Sequence, residues 1–317
     1  MGEFIVDADV MARTRFGTSQ LTETLSGLAI LLARDVRPWH RDWFDAHAAA
    51  FRDRLAEDPV GSALFGHAFG ATWTADFLTV PPTAPDLVLD EELKYLESLD
   101  DDRVRADLEF VAGPLPPVFT ATGLARSAAD ILRWVWEQTI RDEWDRRLRV
   151  LRADVVSRTA RLSSEGWSGA LDGISPGVRW LANGRLQVNA HPYPPRDIRG
   201  RDLMLIAAHS RGSWVSWRLP DTFAVVYPVT GVFASTPAPL PEPLVRLLGR
   251  NRARLLTRLG TPTSTSALAA GTGLPLGSVG GHLRVLLDAG LLERRRSGRE
   301  VLYWRSDAGQ TLLDAAP

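Results

Sequence analysis

The stretch from Asn251 to Arg305 constrains this chain most, because its apolar spacing changes in a fixed order along the run. Leu255, Leu256 and Leu259 make one helical face that stops at Gly260 and Pro262, and Ser264, Thr265 or Ser266 can cap a short helix carrying Leu268 and Ala269. A tight turn at Gly271 to Gly273 follows, and Pro275 suits the first position of another helix. On that helix Val279, Leu283, Leu286 and Leu287 recur at three-and-four spacing, with Gly290 as the stop. Leu291 to Arg296 and Glu300 to Arg305 then alternate as strands do, joined by Ser297-Gly298-Arg299. The order predicts a helix-turn-helix followed by a basic β-hairpin, a wing.

Charge follows the same division. Residues 241 to 317 hold eleven arginines against six Asp and Glu, a net of +5, whereas the whole chain carries −1, so the first 240 residues carry −6. A basic end on an acidic body is what a domain for the phosphate backbone of DNA, joined to something else, would give. Leu255, Leu268, Val279, Leu283, Leu286 and Leu292 are expected in the core. The exposed positions carry the functional reading: Ser266 ahead of the turn, Leu276, Ser278, Gly281, His282 and Arg284 on the predicted recognition helix, and Arg294, Arg295, Arg296 and Arg299 on the wing. His282 suits equally a DNA contact and a hydrogen bond to its own domain.

The run LAAGTGLPLGSVGGHLRVLLDAGLLERRRSGREVLYW resembles the ArsR-type winged-helix transcription regulators, whose motif passes through a His-Leu pair and Ala-Gly-Leu into Arg-x-Gly-Arg and an aromatic. The resemblance covers about residues 244–315 and implies a bacterial regulator, a repressor by preference, that binds double-stranded DNA as a homodimer paired through helices near Pro243–Leu248 and Ser306–Ala315. Gly280 and Gly281 depart from the family pattern, which usually has polar residues there. Each helical glycine costs about 1 kcal/mol relative to alanine. Either the backbone approaches DNA unusually closely here or base readout is weaker than in typical members, and the wing is expected to carry more of the affinity.

The front of the chain reads differently. Leu21, Leu25, Leu28 and Leu32 form a helical stripe, Pro38 opens a helix with Trp39, Trp43, Phe44, Phe51 and Leu55, Leu89, Leu93 and Leu96 mark a third, and Leu124 to about Ser163 is almost continuously helical. After Gly166 the period falls to two: Val178–Leu181 and Leu186–Ala190 flank Asn183-Gly184, a strong hairpin signal, and Leu203–Ala208, Trp214–Leu219 and Phe223–Val229 read as further strands. The expected class is α+β: a helical layer followed by a small antiparallel sheet over residues 1–235, a proline-rich linker at 236–243, and a winged helix-turn-helix domain at 244–317. The front part is expected to sense or to dimerise.

Composition excludes several alternatives. With no cysteine, neither disulfides nor thiolate metal sites are available. The histidines His40, His47, His67, His191, His209 and His282 lack ligand spacing, so no metal site is expected and any effector is an unknown small molecule or a protein partner. Gly271 to Gly277 lacks the preceding strand and third glycine of a dinucleotide loop, and no cofactor is expected. No apolar run approaches membrane-spanning length and the first residues lack a secretory signal, so a cytoplasmic protein is expected.

Two rival classes remain. One is an enzyme with an appended winged helix, whose best candidates are His209, Ser210 and Ser213 with Asp202 or Asp221. No Gly-x-Ser-x-Gly elbow supports it, and no catalytic role is assigned. The other is a protein-interaction module whose winged helix no longer reads DNA, which Gly280-Gly281 keeps open. Trp134, Trp136, Trp214 and Trp217 could line an apolar pocket, although aromatics in such a domain are more often core.

Overall fold

In the computed structural model, which describes residues 2–36, 40–84, 86–175, 177–181, 183–229, 240–260, 263–297 and 300–315, the chain divides into two units, Met1–Thr230 and Gly231–Pro317. The first begins with β1 (Glu3–Ile5), α1 (Ala8–Arg13) and β2 (Arg15–Gly17), and continues through α2 (Gln20–Leu31), α3 (Arg41–Ala56), α4 (Pro59–Ala68), α5 (Leu89–Glu97), α6 (Asp101–Ala112) and α7 (Leu124–Val135). A π turn at Trp136–Ile140 and a 3-10 turn at Arg141–Glu143 lead into α8 (Trp144–Leu171), which is interrupted by Gly166 at φ +68°. The near-continuous helical pattern after Leu124 is therefore two helices joined by a distorted turn. Pro38 and Trp39, expected to open α3, lie outside the described residues.

Strands follow: β3 (Arg179–Leu181), β4 (Arg185–Gln187), β5 (Arg196–Asp197), β6 (Asp202–Ala208), β7 (Trp214–Arg218) and β8 (Thr222–Pro228). Asn183 and Gly184 take φ +62° and +67° between β3 and β4, the positive pair that a tight I′ hairpin turn requires. Two four-stranded sheets result, in the orders β3-β4-β1-β5 and β2-β6-β8-β7. Antiparallel pairing joins β3 to β4, β4 to β1 and β7 to β8, but β6 runs parallel to both β2 and β8. The reason is visible in its sequence. Leu203–Ala208 is apolar throughout, and every one of these side chains is buried, as in a central strand covered on both faces. A half-exposed antiparallel strand would alternate.

A charged cluster ties α2 and α8 to the end of β6. Glu23 (0% exposed) accepts from the His209 backbone N–H at 3.0 Å and lies 2.8 Å from His209 Nδ1, while Arg147 (1% exposed) donates to Glu23 Oε1 at 2.8 Å and to Glu143 Oε2 at 3.1 Å. The Arg147 guanidinium also lies 5.2 Å from the Trp43 ring centre. Burial alone would raise the Glu23 carboxyl. The charge and hydrogen bonds of His209, together with the charge of Arg147, outweigh it and hold the group well below the usual carboxylate range.

The second unit comprises α9 (Glu242–Leu248), α10 (Arg250–Arg258), β9 (Thr263–Ser264), α11 (Thr265–Thr272), α12 (Leu276–Asp288), β10 (Leu292–Ser297), β11 (Glu300–Arg305) and α13 (Asp307–Asp314). Its core gathers Leu244, Leu255, Leu256, Leu268, Val279, Leu283, Leu286 and Leu292, including all six residues expected there. Residues 236–239 of the expected linker lie outside the described residues; Pro241 directly precedes α9.

Candidate nucleic-acid interface

The turn between α11 and α12 is built by two residues. Thr272 Oγ1 donates to the Leu268 carbonyl at 2.6 Å, and Gly273, at φ +71°, donates its N–H to the Ala269 carbonyl at 2.9 Å. The turn thus starts at the end of the expected span, with Gly271 still helical. Pro275 stands one position before α12, in extended conformation, and its carbonyl accepts from the Val279 N–H at 3.1 Å. At the other end Gly290 (φ +71°) donates to the Leu287 carbonyl and Leu291 to the Leu286 carbonyl, a Schellman closure that aims the chain into β10.

Burying Val279, Leu283 and Leu286 turns the opposite side of α12 outward. That side presents Leu276 (57% exposed), Gly277, Ser278, Gly280, Gly281, Arg284 and Val285 (46% exposed). His282 is half-buried at the edge, its Nε2 3.4 Å from Ser278 Oγ. A Cβ placed on Gly277, Gly280 or Gly281 would meet nothing within 4 Å. Internal packing therefore does not demand these glycines, and the helix face is bare backbone at these three positions. Val285 was not among the expected site residues; its place four positions after Gly281 is the signal that could have found it.

The wing is a six-pair antiparallel ladder from Leu292↔Arg305 to Ser297↔Glu300. The three arginines of β10 are exposed, and alternation divides them between two faces. Arg294 and Arg296 share a face with Leu292 and Tyr303, whereas Arg295 shares the other with Glu293 and Trp304, whose Nε1 donates to Glu293 Oε2 at 3.1 Å. Among the described residues Arg284, Arg294 and Arg295 make no ion pair. Arg299 lies outside the described residues. The sequence reading also missed a third strand: β9 pairs with β11 through Ser264↔Leu302 and Thr263↔Tyr303, and the exposed Ser266 lies just beyond it with its Oγ 2.9 Å from Ser264 Oγ. Two residues are too short for alternation to reveal.

Residues 247–295 match a family model described as a helix-turn-helix domain. This segment is a helix-turn-helix of the DNA-binding kind. No curated protein and no solved structure matches the chain. The match runs from α9 through α12 into β10, so the expected recognition helix and Arg294 and Arg295 fall inside it, while β11 lies beyond.

The enzyme candidates of the front unit do not meet. Asp202 and His209 stand at opposite ends of β6, about 23 Å apart by strand rise, and Asp202 and Asp221 pair with Arg13 and Arg201. The acid at His209 is Glu23. Ser210 Oγ donates to the Gly212 carbonyl at 2.8 Å, and Ser213 Oγ accepts from Ser175 at 3.0 Å. Among the four tryptophans considered for a pocket, Trp134 packs against Phe51, Trp136 against Trp144, and Trp214 against the β6–β8 core, whereas Trp217 lines a cleft. Among the described residues no helix is long and apolar enough to cross a membrane, and no three His, Asp or Glu side chains are grouped to hold a metal ion.

Proposed function

We propose that this protein is a bacterial transcription regulator of ArsR type, a cytoplasmic repressor that binds double-stranded DNA as a homodimer and answers to a non-metal signal received by its front unit. The observation that carries the reading is the junction of an outward-facing α12 with a hairpin whose arginines stand exposed beside it in sequence. Its net charge of +5 over residues 241–317 supports phosphate contact. The N-terminal half of α12, from Leu276 to His282, offers backbone and small side chains to base edges. Arg284 and the wing arginines hold the phosphates. Two half-sites one helical turn apart would supply the affinity that one short recognition helix lacks. This reading assigns the chain no catalytic role.

The test is fluorescence anisotropy of the purified protein against a fragment from upstream of its own gene, with a scrambled duplex as control and salt varied. Specific binding is expected, with a steep fall in affinity as salt rises. Replacing Arg294, Arg295 and Arg296 together with alanine should weaken binding to every sequence and flatten the salt slope by about one per arginine that touches a phosphate. Wild-type protein that binds neither duplex at low salt overturns the reading in favour of a protein-interaction module, for which the bare α12 face would be the contact surface.

A further inference from the structure

The front unit contains a cleft of about 300 Å³, at the small end of the range for ligand sites, which run to about 1,000 Å³. Its walls come from three places in the chain: Trp73 and Asp76 from the loop after α4, Asp107 and Phe110 from α6, and Arg196 and Trp217 from β5 and β7. The aromatic rings stand at angles to one another. Trp73 meets Phe110 edge-on at 5.3 Å and Trp217 at 5.5 Å between ring centres, and Phe110 is 69% exposed, an unusual position for a phenylalanine with no apolar cover.

Two carboxylates lie among these rings, and one of them, Asp76, is held only by neutral donors. Asp76 accepts one indole N–H on each oxygen, from Trp73 and from Trp217, both at 3.0 Å. These neutral donors fix its orientation and leave its charge without a directly bonded cation. Asp107 pairs through Oδ1 with Arg103 at 3.1 Å, and the Phe77 backbone N–H also donates to its carboxylate. Burial raises the proton affinity of both groups, and Asp107 raises that of Asp76 further. Asp76 is the carboxylate of the cleft without a directly bonded cation.

The chain already seats one cation on these walls. The Arg196 guanidinium lies 4.0 Å from the centre of the Trp217 ring, in cation–π range, and makes no ion pair among the described residues. One indole face is thereby taken, and Trp73, Phe110 and the two carboxylates remain for a ligand. An anion would have to approach Asp76 and Asp107 against like charge. We propose that this cleft binds a small organic cation, an ammonium carried on an aromatic or apolar body, with the charged group between Asp76 and Asp107 and the body against Trp73 and Phe110. The proposal is independent of DNA binding.

Ligand-observed NMR titration of the full chain tests it with three probes of one shape: 2-phenylethylamine, the neutral 2-phenylethanol and the anion phenylacetate. The amine should bind saturably and at least tenfold more tightly than either of the others. Asp107→Asn should lose most of that preference, and Phe110→Ala, an exposed position whose loss should not disturb folding, should weaken the amine several-fold. Absence of saturable amine binding, equal binding of amine and alcohol, or amine affinity unchanged in both variants would each overturn the proposal.

Discussion

The two units treat charge in opposite ways. In the front unit the strongest electrostatic feature is sealed inside, where Arg147, Glu23 and His209 meet with almost no exposure. In the helix-turn-helix unit the described core is almost wholly aliphatic, and Arg284, Arg294 and Arg295 stand outside without ion pairs among the described residues. A buried charge is committed to its partners and specifies one packing arrangement. An exposed unpaired charge adds little to stability and stays available to another molecule. The contrast separates a region whose polar groups organise a fold from one whose polar groups await a partner.

The largest expected effect tests the sealed cluster. Arg147→Met takes the guanidinium from buried Glu23 and leaves it only His209, and urea unfolding should show a loss of about 3 kcal/mol. A loss within about 0.5 kcal/mol, the usual range for a surface site, would erase the distinction between the units. Leu283→Ala is the matching change in the apolar core. It should remove about 2–5 kcal/mol, because Leu283 is fully buried at the centre of the helix-turn-helix core. A markedly smaller loss would mean that this core is loosely packed.

A third prediction turns on pH. Glu92 accepts from Ser19 Oγ at 2.5 Å and from the Gln20 and Leu21 N–H groups at the start of α2, yet burial outweighs these bonds and pushes its carboxyl up from 4.5 to about 7. The folded protein thus holds this proton more tightly than the unfolded chain. Its contribution to stability is fully present below about pH 4.5 and is lost as pH rises toward 7. Glu23, with its lowered value, acts in the opposite sense: its contribution is present above the ordinary carboxylate value and disappears in stronger acid. Urea melts at pH 5 and pH 7.5 should therefore show a decline that is smaller in Glu92→Gln, and an identical decline in both proteins would refute the assignment.

The smallest effect concerns the bare helix face. Gly280→Ala and Gly281→Ala each place a methyl group in open space, so each should stabilise the helix-turn-helix unit by about 0.5–1 kcal/mol in thermal or urea melts. Loss of stability would show that the glycines serve packing. A gain in stability accompanied by weaker DNA binding would show that they serve close approach.

Much of the helix-turn-helix unit is legible in the sequence, because its signals are local. Leucine spacing marked the helices, Gly273 and Gly290 supply the positive φ values their turns require, and the six expected core residues are all buried. The front unit resisted the same reading. Glu3–Ile5 and Arg15–Gly17 are three-residue strands whose partners lie far along the chain, in β4, β5 and β6, and a segment so short carries no periodicity of its own. The expectation of antiparallel neighbours for Leu203–Ala208 came from sequence order alone, whereas β8 enters between β6 and β7 and runs parallel to β6. The sequence offers His209 as a possible base with Asp202 or Asp221, but its actual partner, Glu23, is 186 positions away.

What the sequence by itself determined was therefore each element that can be specified within one or two turns of chain: the helix pair and its glycine closures, the Asn183-Gly184 hairpin, the concentration of arginine at the end. Tertiary structure alone decided which carboxylate neutralises Arg147, which strand separates β6 from β7, and which wing arginines share a face with Glu293. The physical reason is range. Backbone preference and hydrophobic period act between neighbouring residues, while desolvation, ion pairing and strand register depend on groups that become neighbours only when the chain has closed on itself.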